Sequence, residues 1–180
     1  MNNSTENVTL FALFINDILR LYKEADPESY NELYNMAKGY HLEDPFAKVP
    51  MKLYNDMCQF VQENLGAANL KKIGENIGES VYEALTGQKL VPANPTPKDI
   101  LNGLIGAAAN MVQDPQGRGW IMVSDSDHQI IMKRTQTFNS ILQFGLLKGL
   151  VKKTGKTTVD VKLIKSVEAG DEFDEYLVTW

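Results

Sequence analysis

The sequence has few of the residues that form metal sites and disulfides, and no long apolar run. Its 180 residues include one cysteine, Cys58, and two histidines, His41 and His128. A single cysteine excludes an internal disulfide and a cysteine-built metal site, and a free thiol favours a reducing compartment. No run approaches the ~18 apolar residues that span a bilayer. Residues 1–8 lack the positive charge of a secretory signal, so we expect a cytoplasmic protein.

An excess of positive charge is also absent. Lysine and arginine number 18 against 23 aspartates and glutamates, which gives a net charge of −5. This balance argues against a nucleic-acid-binding surface and mainly favours solubility. The apolar share of 43% and the charged share of 23% are those of a soluble globular protein. The length fits one domain, 1–180.

The common motifs of catalysis and metal binding are missing as well. The chain has no G-x-S-x-G motif for a nucleophilic serine and no glycine-rich phosphate loop. Asp125 and Asp127 flank Ser126 like the start of a calcium loop, but the other ligands and the terminal glutamate are absent. A solvated turn is favoured there. We therefore expect no catalytic residue, no metal and no cofactor.

Five carboxylates cluster near the C-terminus and allow two interpretations. Buried carboxylate pairs can perform acid–base chemistry when their pKa values differ. On an exposed hairpin, the same charges keep an edge strand from aggregating. We favour the exposed interpretation for this cluster, which consists of Glu168, Asp171, Glu172, Asp174 and Glu175.

Helical periodicity dominates the first half of the chain. Apolar residues recur at helical spacing in residues 8–24, 27–38, 51–65, 69–87 and 97–112. Asp26 and Thr96 are suited to cap helices, because each is followed by a proline that fits the first turn. We divide the single domain into an N-terminal helical extension, residues 1–49, and a core, residues 50–180.

The second half changes to a β pattern. The stretches WIMVS and HQIIMK predict one hairpin around a polar turn, and a helix is predicted over residues 138–153. Val159, Val161 and Leu163 then alternate with polar residues, and EAGD forms a turn before EFDEYLVTW. This ββαββ order predicts an α+β fold in which helices cover a four-stranded antiparallel sheet.

Two helices carry glycines four residues apart. These are Gly74 with Gly78, and Gly145 with Gly149. Each glycine within a helix costs about 1 kcal/mol relative to alanine, so the pairs indicate the close approach of another backbone. Packing within the chain is the favoured explanation for Gly74 and Gly78, and a dimer interface is the alternative.

A ligand pocket between the helices and the sheet is a further prediction. Ligand sites are usually apolar cavities with a few polar groups. The alternative is that the same residues simply fill the core. The candidate lining residues are Tyr82, Trp120, Met122, Phe138, Phe144 and Leu147.

From about Met51 the chain resembles the superfamily of haem-NO-binding domains, 4-vinyl-reductase-type domains and TRAPP transport-complex subunits. The resemblance rests on IGENIGESVYEAL, on Pro95–Leu101, on Gly117–Trp120 and above all on the closing helix and hairpin. The closing pattern of 4-vinyl-reductase-type domains is matched by Gly145, Gly149, Gly170, Asp171, Tyr176 and Val178.

Departures from these families remove their metal chemistry. Where that pattern has cysteines, this chain has Ser166 and Asp174, so a cysteine-bound metal is lost. The Tyr-x-Ser-x-Arg motif of haem-NO sensors is absent, and neither histidine lies in a predicted helix, so haem is not expected. The resemblance still implies helices over a four-stranded sheet, an architecture used for ligand sensing or for holding partners.

Three hypotheses for function follow. The first is a non-enzymatic sensory or regulatory domain that binds a small apolar ligand between helices and sheet. The alternative is a homodimerisation or protein-interaction module, with a signalling protein as a possible partner. It would use Gly74 and Gly78, or the tyrosines Tyr22, Tyr30 and Tyr34 of the first helices. The third hypothesis is a reductase or another enzyme, which would need a bound cofactor or a convergent polar site.

Overall fold

The fold comes from a computed structural model, in which residues 4–135 and 138–180 are described. The helices of the described residues are α1 Leu13–Lys23, α2 Pro27–Ala37, α3 Met51–Asn64, α4 Ala67–Gly87, α5 Pro97–Met111 and α6 Ser140–Lys152. The strands are β1 Thr9–Phe11, β2 Lys48–Pro50, β3 Val112–Gln113, β4 Trp120–Ser126, β5 Gln129–Arg134, β6 Asp160–Lys165 and β7 Asp174–Thr179. None of these helices has the length and apolarity needed to cross a membrane.

Side-chain caps fix where three helices begin. Asp26 accepts a hydrogen bond from the backbone N–H of Ser29 at 3.2 Å, and Pro27 occupies the first turn of α2. Thr96 and Asp99 form a reciprocal capping box at α5. Asn139 accepts hydrogen bonds from two backbone N–H groups of α6. A side-chain oxygen satisfies N–H groups that have no partner within the helix.

The larger sheet has the order β4-β5-β7-β6, and all of its pairs are antiparallel. The predicted ββαββ order and α+β class are confirmed. The hairpin turn falls at Asp127 and His128, two residues later than the start of the predicted turn, because β4 continues to Ser126.

A second, smaller sheet was not expected from the sequence. It has the order β2-β1-β3 and joins residues from the start of the chain, the connector after α2 and the end of α5. The helix expected over residues 8–24 is therefore wrong at its start, where β1 precedes α1. The pairing partners of Leu10 are Val49 and Val112, which are distant in sequence.

The two glycine pairs meet each other at the crossing of α4 and α6. A Cβ atom on Gly74 would lie 3.0 Å from the Cα of Gly145, and one on Gly78 would lie 3.2 Å from the Cα of Gly149. The favoured packing within the chain is confirmed. The face of Gly74 and Gly78 is filled by α6, so the proposal that it forms a dimer interface is wrong.

Salt bridges flank the crossing on its outer side. Glu75 of α4 contacts Lys148 at 2.9 Å and Lys152 at 3.1 Å. Burial alone would raise the pKa of the Glu75 carboxyl, but the hydrogen bonds and charges of the two lysines lower it overall. The lysines near the C-terminus of α6 therefore join the two helices, and their positive charges also interact favourably with the helix dipole.

One contiguous core contains residues from both halves of the chain. Leu10, Ile18 and Leu33, all within residues 1–49, are completely buried in the same cluster as Leu147 and Val178. The alternative hypothesis expected Tyr22 to be exposed, but this side chain is only 9% exposed. Tyr34 is 48% exposed and Tyr30 is partly buried.

Candidate functional site

An apolar cavity of about 40 Å³ lies between the helices and the larger sheet. Its wall is formed by five helices, by β3, β4 and β5, and by the segment that precedes α6. The apolar lining residues are Phe14, Ile77, Val81, Leu104, Ala107, Ala108, Met111, Val112, Trp120, Phe138, Leu142 and Leu146. Such a site favours an apolar ligand.

Three buried polar side chains interrupt this apolar wall. They are Tyr54 of α3, Arg134 of β5 and Gln143 of α6, each no more than 3% exposed. Arg134 donates a hydrogen bond to the side-chain oxygen of Gln143 at 3.2 Å. The cavity therefore has one polar side within an apolar surround.

Two aromatic rings hold the Arg134 guanidinium in place. Its central carbon lies 3.8 Å from the centroid of Phe138 and 4.7 Å from that of Trp120. A cation over an aromatic face is attracted by the ring quadrupole, and more strongly when it is shielded from water. Burial lowers the pKa of Arg134 to about 10, opposed by Tyr176, Tyr54 and Asp174. The group remains a cation at neutral pH.

Asp174 lies opposite Arg134 in the pairing of β5 with β7. It is 5% exposed, which contradicts the exposed position expected for it. Its carboxylate accepts hydrogen bonds from the Ser140 hydroxyl at 2.6 Å and from the Val167 backbone N–H at 2.9 Å. The other four carboxylates of the cluster are exposed or half-buried. A buried carboxylate thus accompanies the buried cation of the site.

The structure brings two of the six predicted lining residues to the cavity, Trp120 and Phe138. Leu147 is fully buried, but its side chain does not line the cavity, and Met122 is partly buried on the core. Phe144 instead packs on Tyr176 with ring centroids 5.7 Å apart, and Tyr82 lies near Lys153. A role of any of the six in ligand contact stays a prediction.

Sequence reasoning missed the three polar residues of the wall. A signal for Arg134 exists, because it continues the alternation of Ile130 and Met132 on the buried side of β5. The helical residues Tyr54 and Gln143 gave no comparable signal. They become neighbours only through tertiary packing.

The residues around the cavity do not fit haem. His41 and His128 are both exposed, and neither a histidine nor a cysteine lines the cavity. A volume of about 40 Å³ accepts only about three water-sized groups. Cys58 is fully buried away from the cavity wall, and burial raises the pKa of its thiol well above the usual range.

Metal ligands do not converge elsewhere in the described residues. Residues 4–135 and 138–180 contain no group of three or more histidines, cysteines or carboxylates that could hold a metal ion. Asp125, from the calcium-like turn, forms an ion pair with Lys98. The turn is exposed, as the favoured interpretation expected.

Comparison with solved structures defines the class of fold. The chain has the fold of H-NOX domains, with helices packed on a four-stranded antiparallel sheet. One similar structure is the H103G mutant of the SO2144 H-NOX domain from Shewanella oneidensis, determined in the Fe(II)CO ligation state. The TM-score is 0.63 and the identity 11%, over 94% of this chain and 98% of the other.

This likeness establishes the fold and no more, because the sequences are so different. No family model matches the chain, and no curated protein matches it. The structural match covers 94% of the chain, so it extends into residues 1–49, beyond the resemblance seen from about Met51.

Proposed function

We propose that this chain is a non-enzymatic sensory or regulatory domain that binds a small apolar ligand in the cavity between helices and sheet. The observation that carries the proposal is the apolar cavity itself, which borders Trp120 and Phe138. The H-NOX-like fold supports it by analogy, since the similar structure carries a bound ligand in this class of fold.

The size of the cavity limits the ligand. At about 40 Å³ it has room for about three water-sized groups. A dissolved gas or a molecule of a few heavy atoms fits this space without movement of the walls. A macrocycle or a lipid chain does not.

The polar groups at the cavity favour binding over catalysis. A general acid or base works best with a pKa near the operating pH. Burial raises the pKa of Tyr54 well above its ordinary value, and it lowers the pKa of Arg134 to about 10, which is still far above neutral pH. Neither side chain exchanges a proton readily at neutral pH. The proposal therefore treats them as groups that orient a ligand.

Xenon provides a direct test of the cavity. We expect its addition to shift backbone amide NMR signals around the cavity, in α4, α5 and α6, in a saturable way. The Ala108→Leu variant adds three carbons to the cavity wall and should abolish these shifts. The matched control is Ala84→Leu, because Ala84 is exposed on α4 away from the cavity and its variant should respond like the parent.

Shifts that are absent in the parent protein, or unchanged in Ala108→Leu, would contradict the proposal.

The alternative, an interaction or homodimerisation module, now rests only on the first two helices, where Tyr30 and Tyr34 stack with centroids 5.8 Å apart. A monomeric mass at high concentration, measured by sedimentation, would count against self-association. Location in the cytoplasm also stays a proposal, since it rests on the single cysteine, and cell fractionation would test it.

A further inference from the structure

Tyr54 and Gln143 bring two hydrogen-bond donors to the cavity without a partner for either. Both side chains line the cavity, and each residue is 1% exposed. Within residues 4–135 and 138–180, no hydrogen bond involves the Tyr54 hydroxyl or the side-chain NH₂ of Gln143. The Gln143 oxygen is already occupied by Arg134. The NH₂ group is therefore the part of this glutamine side chain that has no partner within the described residues.

Buried donors without a partner are uncommon in folded proteins. Leaving one unsatisfied costs about 1–3 kcal/mol, and more than nine in ten buried polar groups have a partner. Neither donor of Tyr54 and Gln143 is among the fully enclosed side-chain atoms without a partner, so both face the space of the cavity. An acceptor atom placed in the cavity would satisfy them. Burial also keeps Tyr54 protonated, since it raises the pKa of the phenol well above its ordinary value.

We propose that the ligand of this cavity is a molecule of a few heavy atoms with an apolar body and one hydrogen-bond acceptor. The acceptor lies towards Tyr54 and Gln143, and the apolar body lies against Leu104, Ala108 and Leu146. Small nitriles, ketones and aldehydes belong to this chemical class. The inference rests on the proposed function, because it specifies the ligand of the same cavity.

The charges at the polar wall favour a neutral ligand over an anion. The buried carboxylate of Asp174 already lies opposite Arg134 across β5 and β7, and its negative charge raises the pKa of Arg134. Adding a second anion beside this pair would leave a net negative charge in an apolar site, which is costly. A neutral acceptor satisfies the two donors without that cost.

The aromatic packing of Tyr54 permits a conservative test. Its ring packs edge-to-face on Phe138 with centroids 5.6 Å apart, and on Phe14 with centroids 6.0 Å apart. Because the hydroxyl forms no hydrogen bond within the described residues, Tyr54→Phe removes the donor and keeps these contacts. Without ligand, the variant should be at least as stable as the parent protein, because it removes a donor that has no partner. Tyr82→Phe is the matched control, since Tyr82 does not line the cavity.

The probes are acetonitrile and propyne, which have the same number of heavy atoms and a similar rod shape. Only acetonitrile has a strong acceptor at its end. We expect Tyr54→Phe to weaken acetonitrile binding about fivefold, the effect of one net hydrogen bond, and to leave propyne binding unchanged. Tyr82→Phe should change neither. The measurement is an NMR titration of amide signals around the cavity.

The outcomes separate this inference from the proposed function. If xenon and propyne bind but Tyr54→Phe leaves acetonitrile binding unchanged, the cavity binds ligands and the inference is wrong. If none of the three probes binds, and the cavity holds a bound water only, both proposals are overturned. Equal weakening of acetonitrile and propyne would show a packing change and would also overturn the inference.

Discussion

At the scale of single residues, the site buries two opposite charges, Arg134 and Asp174, which face each other across β5 and β7. Two buried charges lose their hydration, and their attraction offsets this loss only when further hydrogen bonds complete the arrangement. Here Asp174 accepts hydrogen bonds from Ser140 and Val167, and two aromatic rings flank Arg134. The polar side of the cavity therefore depends on the contacts that stabilise these two buried charges.

Replacing Asp174 with asparagine should destabilise the protein by about 1–3 kcal/mol, because a hydrogen-bonded buried carboxylate is lost and Arg134 loses a nearby negative charge. Urea unfolding followed by circular dichroism measures this change. Asp160→Asn is the matched control: Asp160 lies on the neighbouring strand β6 but is exposed, so its variant should stay within about 0.5 kcal/mol of the parent.

A double-mutant cycle separates the charge effect from general damage. In an Arg134→Leu background, Asp174→Asn should cost much less than in the parent, because no buried cation remains to be balanced. Equal costs in the two backgrounds would show that Asp174 acts only through its hydrogen bonds with Ser140, Val167 and Tyr176.

Part of this site could be predicted from the sequence by strand alternation. In β7, Asp174 alternates with Tyr176 and Val178 on the buried side, just as Arg134 follows Ile130 and Met132 in β5. The interpretation of Asp174 as one of five exposed carboxylates overlooked its place in this alternation. The positions of Tyr54 and Gln143 could not be predicted, because a cavity is the space left over when many elements pack.

At the scale of elements, the crossing of α4 and α6 is a contact between main chains. The spacing of the glycines predicted a close approach, and Gly74 and Gly78 face Gly145 and Gly149 across it. The partner helix was the uncertain part of that prediction. Periodicity within one helix does not specify which other helix fills its glycine face.

Replacing Gly145 with alanine should therefore destabilise the protein by about 1–3 kcal/mol or more. The added Cβ would lie 2.7 Å from the backbone nitrogen of Glu75, and main chain cannot move aside like a flexible side chain. Gly106→Ala is the matched control. Gly106 lies in helix α5 with no atom within 4 Å of an added Cβ, so alanine should stabilise the helix by about 0.5–1 kcal/mol.

Thermal or urea unfolding of the two variants tests this difference directly. The opposite signs are the decisive result, since both changes add the same methyl group to a helical glycine. A Gly145→Ala protein as stable as the parent would mean that α4 and α6 do not cross at these glycines.

At the scale of the whole molecule, the first 49 residues contribute to the common core. The ββαββ order and the helical half were predictable because their periodicities are long and regular. The small β2-β1-β3 sheet was not, because its strands are two or three residues long and pair with distant parts of the chain. Such pairing is specified by tertiary contacts rather than by local pattern.

Leu33→Ala tests whether the extension and the core unfold together. Leu33 is completely buried in α2, and truncation of a buried leucine costs about 2–5 kcal/mol. Both tryptophans, Trp120 and Trp180, lie in the core segment. If the chain unfolds as one unit, tryptophan fluorescence and circular dichroism should report the same lowered urea midpoint.

A fluorescence midpoint that stays at the parent value, while the helical signal is lost earlier, would show that residues 1–49 unfold on their own. The division of the chain at residues 49 and 50 would then describe two cooperative units. Coincident midpoints would mean that residues 1–49 and 50–180 unfold together as one cooperative unit.

The main-chain contact between α4 and α6 also sets a limit on ligand size. Both helices contribute to the cavity wall, α4 through Ile77 and Val81, and α6 through Leu142 and Leu146. Helices that touch backbone to backbone cannot move closer, and their glycine faces allow no adjustment by side-chain rotation. Shortening Leu104 or Met111 of α5, on the opposite wall, would therefore enlarge the cavity without disturbing the crossing.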